Sequence, residues 1–322
     1  MGDYLKIRYS ELRFTVRIVD DSELPRFKSS AIRGGIGDML LEEYCIREKF
    51  RSDKLNKCED CDFYNECIVQ RILYSDMDIN PEFMSNGNSV GYIVECLDSR
   101  ESFVAGDTFQ FKLILFGKNC FYLSQYLSAV YRLGINGLGR NRNQFEVISI
   151  KNIKNENILV DNNIIKSNYQ IEQVSDYVDW RMRRLESSGD IKKVHIQYTT
   201  PVSIKKNGEV LNELSIEAFY ENLLRRIYIM NCFEGNEFLK LLEKNKYNPI
   251  QIASENRLTK IPRFSFRKKQ KIYLEGVYGY LDIDVSNMDF SEDYIRNLIA
   301  GEIIHVGSNT SFGFGEFNVT LI

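Results

Sequence analysis

Gly307-Ser308-Asn309-Thr310-Ser311-Phe312-Gly313-Phe314-Gly315-Glu316-Phe317-Asn318-Val319-Thr320-Leu321 runs from a glycine-rich loop into an alternating strand, and how that loop enters its strand decides the fold. With His305 just ahead of it, the loop puts three glycines, three small hydroxyl residues and a histidine within residues 305–315. Glycine lets the backbone take left-handed angles and lets a partner approach its amides. Amides turned to one side form a concave nest for an anion such as phosphate. Gly307, Ser308, Asn309, Thr310, Ser311, Gly313 and Gly315 are therefore candidate phosphate contacts, while a ligand-free helix-to-strand turn accounts for the same composition.

The device occurs twice. Gly134-Ile-Asn-Gly137-Leu-Gly139-Arg140-Asn-Arg142 follows a helical pattern over Cys120 to Leu133 and leads into the alternating segment Phe145 to Ile150. Upstream, residues 5–19 read as a strand, with Leu12, Phe14, Val16 and Ile18 on one face and Arg13, Thr15 and Arg17 on the other. A helix follows through Ile32, Ile36, Met39, Leu40 and Tyr44, despite Gly34, Gly35 and Gly37. Each glycine there costs on the order of 1 kcal/mol against alanine, so close approach of a strand, a helix or a ligand is expected. Strands at Val90 to Leu97 and Thr108 to Phe116 complete the first half. The second half repeats the order: a strand at Ile191 to Thr199, a helix at Ser215 to Cys232, a hairpin of Pro262 to Leu274 with Val277 to Val285, a helix at Ser291 to Ile299, and the opening run. An additional helix falls near Glu237 to Lys244.

Two halves ordered βαββαβ predict an α+β protein of two tandem ferredoxin-like, RRM-like domains. Residues 1–150 form the first, with a cysteine-rich insertion at about 45–70, and residues 191–322 the second. Residues 151–190, polar and rich in asparagine, read as a linker with some elaboration.

At 322 residues and 43% hydrophobic, the chain can fill two cores. It holds no apolar run approaching the roughly 18 residues a bilayer span needs and no signal-type apolar segment near its N-terminus, so a soluble, cytoplasmic protein is expected. Seven cysteines point to thiols or a metal rather than a disulfide framework. Cys45, Cys58, Cys61 and Cys67 have the spacing of a tetrahedral site, two thiolates coming from one knuckle turn. Structural zinc is the favoured occupant; an iron–sulfur cluster uses the same ligands, and four unpaired thiols is the metal-free reading. Cys96, Cys120 and Cys232 sit in strand or helix patterns and read as core.

A net charge of −3 conceals a basic segment. Arg257, Lys260, Arg263, Arg267, Lys268, Lys269 and Lys271 follow one another with no acid between them, partly alternating with Leu258, Ile261, Phe264 and Phe266. Such a hairpin suits the phosphates of an RNA strand with salt-sensitive affinity. Arg140 and Arg142, with Arg181, Arg183 and Arg184, extend the patch. A solvated charged hairpin is the plainer account.

The sequence resembles a family of CRISPR-associated endoribonucleases that process precursor CRISPR RNA, the sixth numbered Cas family of the RAMP superfamily. Over nearly the whole chain the resemblance is carried by Leu24-Pro25-Arg-Phe-Lys28-Ser-Ser-Ala-Ile-Arg33-Gly34 followed by the four cysteines, by Tyr198-Thr-Thr-Pro201-Val, by Arg263-Phe-Ser-Phe-Arg267, by Gly276-Val-Tyr-Gly279, and above all by Gly307 to Gly315. It implies cleavage of CRISPR repeat RNA without a catalytic cofactor, the 2′-hydroxyl attacking its own phosphate to leave a cyclic phosphate and a 5′-hydroxyl. That chemistry needs a base, an acid and cations on the phosphate oxygens. In many relatives a histidine near the first helix serves; here that helix offers only Lys28 and Arg33. His305 is the candidate base or acid, against a structural role closing the preceding helix, and His195, mid-strand, reads as structural or surface. The implied partners are repeat RNA or its mature product and other subunits of a CRISPR effector complex, with no membrane, the protein itself being a monomer or homodimer. A non-catalytic RAMP subunit that only binds guide RNA, and a zinc-stabilised RNA-binding module outside CRISPR systems, are the competing readings.

Overall fold

The computed structural model describes residues 3–45, 61–73, 81, 90–154, 156–160, 164–165, 168–185, 191–238, 247, 249–265, 270–288 and 291–322. The chain divides into two compact units, Tyr9–Ile171 and a second made of Met1–Arg8 with Glu172–Ile322. Both are mixed α/β with antiparallel sheets.

The first unit contains β1 (Arg8–Ile18), β2 (Ser22–Glu23), α1 (Ser29–Tyr44), α2 (Ile68–Leu73), β3 (Tyr92–Glu95), β4 (Ser102–Phe103), β5 (Thr108–Phe116), α3 (Leu123–Asn136), β6 (Phe145–Lys151), β7 (Asn157–Val160) and β8 (Ile164–Ile165). Its sheet is ordered β3-β5-β1-β6-β7-β8. The period-two residues Leu12, Phe14, Val16 and Ile18 are buried in one cluster with Ile32, Ile36, Met39 and Leu40 of α1 and Leu127, Val130 and Leu133 of α3. One glycine of α1, Gly35, finds its reason here. A Cβ at Gly35 would lie 2.4 Å from Leu133 Cδ1, so the missing side chain lets α1 close on α3, and no ligand is needed to explain it.

The second unit contains β9 (Glu172–Gln173), α4 (Val174–Leu185), β10 (Lys193–Tyr198), β11 (Lys205–Lys206), β12 (Glu209–Val210), α5 (Ile216–Cys232), β13 (Ile250–Ser265), β14 (Gln270–Asp284), α6 (Ser291–Ile304) and β15 (Phe317–Leu321). Its sheet is ordered β13-β14-β10-β15, so strand, helix, hairpin, helix, strand in the chain becomes hairpin, first strand, last strand in space. In the first unit β3-β5-β1-β6 repeats that arrangement. Val194, Ile196 and Tyr198 of β10 are buried together with Phe219 and Leu223 of α5 and Leu298 and Ile299 of α6. Tyr198 stacks on Phe219, and Phe219 meets Phe317 edge-on at 5.0 Å. Ser215 caps α5 by accepting from the Ala218 amide at 3.3 Å.

Two expectations change. Residues 151–190, read as linker with elaboration, contain β7, β8, β9 and the twelve-residue α4, and the two units meet in sequence at Ile171/Glu172 rather than at residue 190. The long hairpin does not reverse at residues 275–276: its strands stay paired from Lys260 with Glu275 out to Ser265 with Gln270. Gly276 instead lies within β14, where a Cβ would come 2.9 Å from Pro201 Cβ, so packing and not chain reversal explains it. The expected helix near residues 237–244 lies largely outside the described residues.

Candidate nucleic-acid interface

The glycine loop is built by five residues in or near the left-handed region. His305 (φ 59°), Gly307 (80°), Asn309 (62°), Gly313 (81°) and Gly315 (80°) fold the chain back between α6 and β15. The loop closes onto the segment after β10. Gly315 N–H donates to the Pro201 carbonyl (2.9 Å), Ser308 N–H to the Ser203 carbonyl (2.7 Å), and Glu316 N–H to Thr200 Oγ1 (2.9 Å). Phe312 N–H and Gly313 N–H bond within the loop, to Asn309 and Thr310. The amides of Ser308, Phe312, Gly313 and Gly315 are thus committed to protein carbonyls, which removes them from the anion nest that the sequence suggests. Gly307, Ser308, Asn309 and Ser311 stay half-buried, whereas Thr310, Gly313 and Gly315 are buried. The resemblance motifs Tyr198 to Val202 and Gly307 to Gly315 are therefore two sides of one hydrogen-bonded seam.

The long β13–β14 ribbon reaches this loop. Arg263 lies with its guanidinium 4.3 Å from the centre of the Phe312 ring. Arg257, Lys260 and Lys271 are exposed along the same ribbon, and Lys260 pairs across it with Glu275 at 2.6 Å, an acid outside the basic segment itself. Arg267, Lys268 and Lys269 lie outside the described residues. In the first unit Arg140 and Arg142 are exposed on the tight loop closed by mutual hydrogen bonds between Leu138 and Asn143. Arg181 leaves the patch: it binds the Glu302 carboxylate (3.1 Å) and the Val319 carbonyl (2.7 Å), tying α4 to α6 and β15.

The catalytic candidates are placed less favourably. His305 is fully buried, its Nδ1 2.9 Å from the Phe314 carbonyl oxygen. Since a carbonyl only accepts, Nδ1 carries the proton and the ring braces the loop from inside. Lys28 is also fully buried; its ammonium donates to the backbone carbonyls of Asp98 (2.9 Å) and Arg100 and stands 3.6 Å from the Asp98 carboxylate. Burial holds its pKa below the usual lysine value, against the pull of Asp98. Neither group has the solvent access that contact with a scissile phosphate requires. Arg33 is half-buried with its guanidinium 5.8 Å from the Tyr92 ring. Its guanidinium offers a phosphate donors and charge but no lone pair for a proton.

Cys45, Cys61 and Cys67 are half-buried free thiols, Cys61 and Cys67 flanking the short turn Tyr64–Glu66, and Cys58 lies outside the described residues. Among the described residues no cluster of three or more possible ligands forms. The donor chemistry of four thiolates suits zinc, and the part of the set that is described keeps its thiols out of disulfides. Among the described residues no helix is long and apolar enough to cross a membrane.

Sequence reasoning passed over one arrangement: His195 Nδ1 lies 2.5 Å from Asp282 Oδ1 on the neighbouring strand. The alternation Val194-His195-Ile196-Gln197-Tyr198 does put His195 on the polar face, but Asp282 is 87 residues away and only the strand register brings it alongside.

These features define a class: an antiparallel α/β protein of two similarly ordered units, with a glycine loop seated under a basic two-stranded ribbon. The family model for the CRISPR-associated endoribonuclease Cas6 matches residues 196–317, spanning β10, ribbon and loop, and the AF_1859_N model, an N-terminal domain, matches residues 7–176. Residues 196–317 of the chain are thus similar to the Cas6 family. No curated protein matches it. Among solved structures, a partial Cas6-RT-Cas1-Cas2 complex aligns with a TM-score of 0.60 at 9% identity, covering 98% of this chain and 46% of that one. A Cas6 product complex aligns at 0.56 and 10% identity, covering 98% and 100%, and Thermus thermophilus Cas6 at 0.51 and 9%, covering 98% and 99%. At such identities the likeness is one of fold.

Proposed function

We propose that this chain, similar to Cas6 over residues 196–317, binds CRISPR repeat RNA along the β13–β14 ribbon and the accessible rim of the glycine loop, and cleaves it to mature guide RNA. The observation that carries the reading is Arg263 over Phe312, which sets a ribbon cation against the loop within one unit. In the reaction a base takes the 2′-hydroxyl proton as the 2′-oxygen bonds to the adjacent phosphorus, the bond to the 5′-oxygen breaks, and that oxygen takes a proton from an acid, leaving a 2′,3′-cyclic phosphate and a 5′-hydroxyl. No metal is required, because base, acid and cationic groups suffice. Each unit is read as ferredoxin-like, supported by the shared strand order β3-β5-β1-β6 and β13-β14-β10-β15. The four cysteines are read as a structural zinc site beside α1. Association with further CRISPR subunits follows from the same reading.

A second reading, an RNA-binding subunit that does not cut, draws support from the burial of His305 and Lys28. Incubating purified protein with its cognate repeat RNA in chelator separates the two. Site-specific products ending in a cyclic phosphate are expected; tight binding without cleavage favours the subunit, and absence of binding defeats both.

A further inference from the structure

The sheet of the second unit carries, on the face away from its core, a histidine to which the cleavage reading gives no task. Along β10, Val194, Ile196 and Tyr198 are buried, and His195 and Gln197 alternate onto the opposite face. The antiparallel register places His195 opposite Asp282 and Gln197 opposite Tyr280 of β14, and residues directly opposite share a face. An ionised carboxylate only accepts, so the 2.5 Å contact means His195 Nδ1 carries its proton toward Asp282 and the ring is fixed in one orientation. The pair is open to solvent, the side chains being 30% and 35% exposed. Beside it the Tyr280 ring lies with its centre 5.3 Å from the imidazole and tilted by 35°. Gln197 is held as well, its amide donating to the Gly279 carbonyl at 2.9 Å.

We infer that His195 and Tyr280 form a stacking platform for an unpaired RNA base. Two oriented rings on adjacent strands offer π-faces at little conformational cost, and stacking of this kind accepts any base. The surrounding charges select a base over a phosphate: Asp282 flanks the imidazole, and Glu255 of β13 stands opposite Tyr280, so an anion is repelled there. Arg257, two cross-strand pairs further along at Tyr278, is exposed and gives the RNA backbone a cation to pass. A protein partner fits less well, because the core of a protein interface is depleted of charge, and this face is not. The inference rests on the RNA reading above and adds that an unpaired stretch of the repeat crosses this sheet.

Anisotropy titrations of labelled repeat RNA at several salt concentrations test it. His195→Ala and Tyr280→Ala are each expected to weaken binding by about tenfold while leaving the slope of affinity against salt unchanged, and His195→Phe to restore most of the loss. His195→Gln, which has no ring but keeps a hydrogen bond to Asp282, gives the same answer if the alanine variant folds poorly. Affinity unchanged in the ringless variants overturns the platform. So does a weakening accompanied by a slope smaller by about one, which marks a phosphate contact. Wild-type protein that binds no repeat RNA defeats the RNA reading and the platform with it.

Discussion

A side chain at position 315 has nowhere to go. Gly315 holds φ 80°, and a Cβ there would stand 2.0 Å from the Val306 carbonyl oxygen, while its own amide is bonded to Pro201. Gly315→Ala combines left-handed strain with a backbone clash and is expected to destabilise the protein by about 2 kcal/mol or more. A denaturant midpoint equal to that of the wild type would contradict the strained turn. His305 occupies the same half of the backbone map without being glycine, and its buried ring hydrogen-bonds the Phe314 carbonyl, which locks the turn from within. The sequence displayed the glycines and the histidine plainly. Their purpose was not legible, because whether an amide faces an anion or a protein carbonyl depends on Pro201 and Ser203, which lie far back in the chain. Lys28 hides for a similar reason: a cation at a helix start looks available until the loop carrying Asp98 and Arg100 closes over it.

At the scale of elements, the ribbon is where sequence and structure agree most. Alternation and an unbroken series of cations marked a basic hairpin, and β13 and β14 form one. The position of its turn was misread because Gly276 resembles a turn residue; packing against Pro201 and Phe314 keeps it inside a strand. Part of the hold of helix α4 on α6 is polar, through Arg181 with Glu302 and Asp179 with Arg296, and such long-range pairs leave no trace in the local sequence. The Lys260–Glu275 pair is exposed and contributes at most about 1 kcal/mol, so it does not withdraw the ammonium from a phosphate. Replacing Lys260 and Lys271 with glutamine is expected to lower the slope of log affinity against log salt by about 0.7–0.9 for each phosphate that no longer meets a cation. Titrations that return the wild-type slope would remove the ribbon from the interface.

For the whole molecule, the repeated order of elements was legible because each half carries its own hydrophobic periodicities, and these survive without knowledge of how strands pair. The boundary at Ile171/Glu172 was not, since membership of β7, β8 and α4 is decided by which sheet or helix each finds. If the four cysteines hold zinc, purified protein carries about one equivalent by elemental analysis, and a strong chelator or Cys61→Ser lowers its melting temperature. Metal-free protein with a melt indifferent to chelator would leave those cysteines as plain thiols. The segment from Thr199 to Ser203 has a mechanical consequence. It bonds the glycine loop on one side and, through paired hydrogen bonds of Val202 with Val277 (2.9 and 2.8 Å), the ribbon on the other. Loop and ribbon are geared to one latch: prising either away loosens the same residues that hold its neighbour, and whatever grips the loop stiffens the ribbon too.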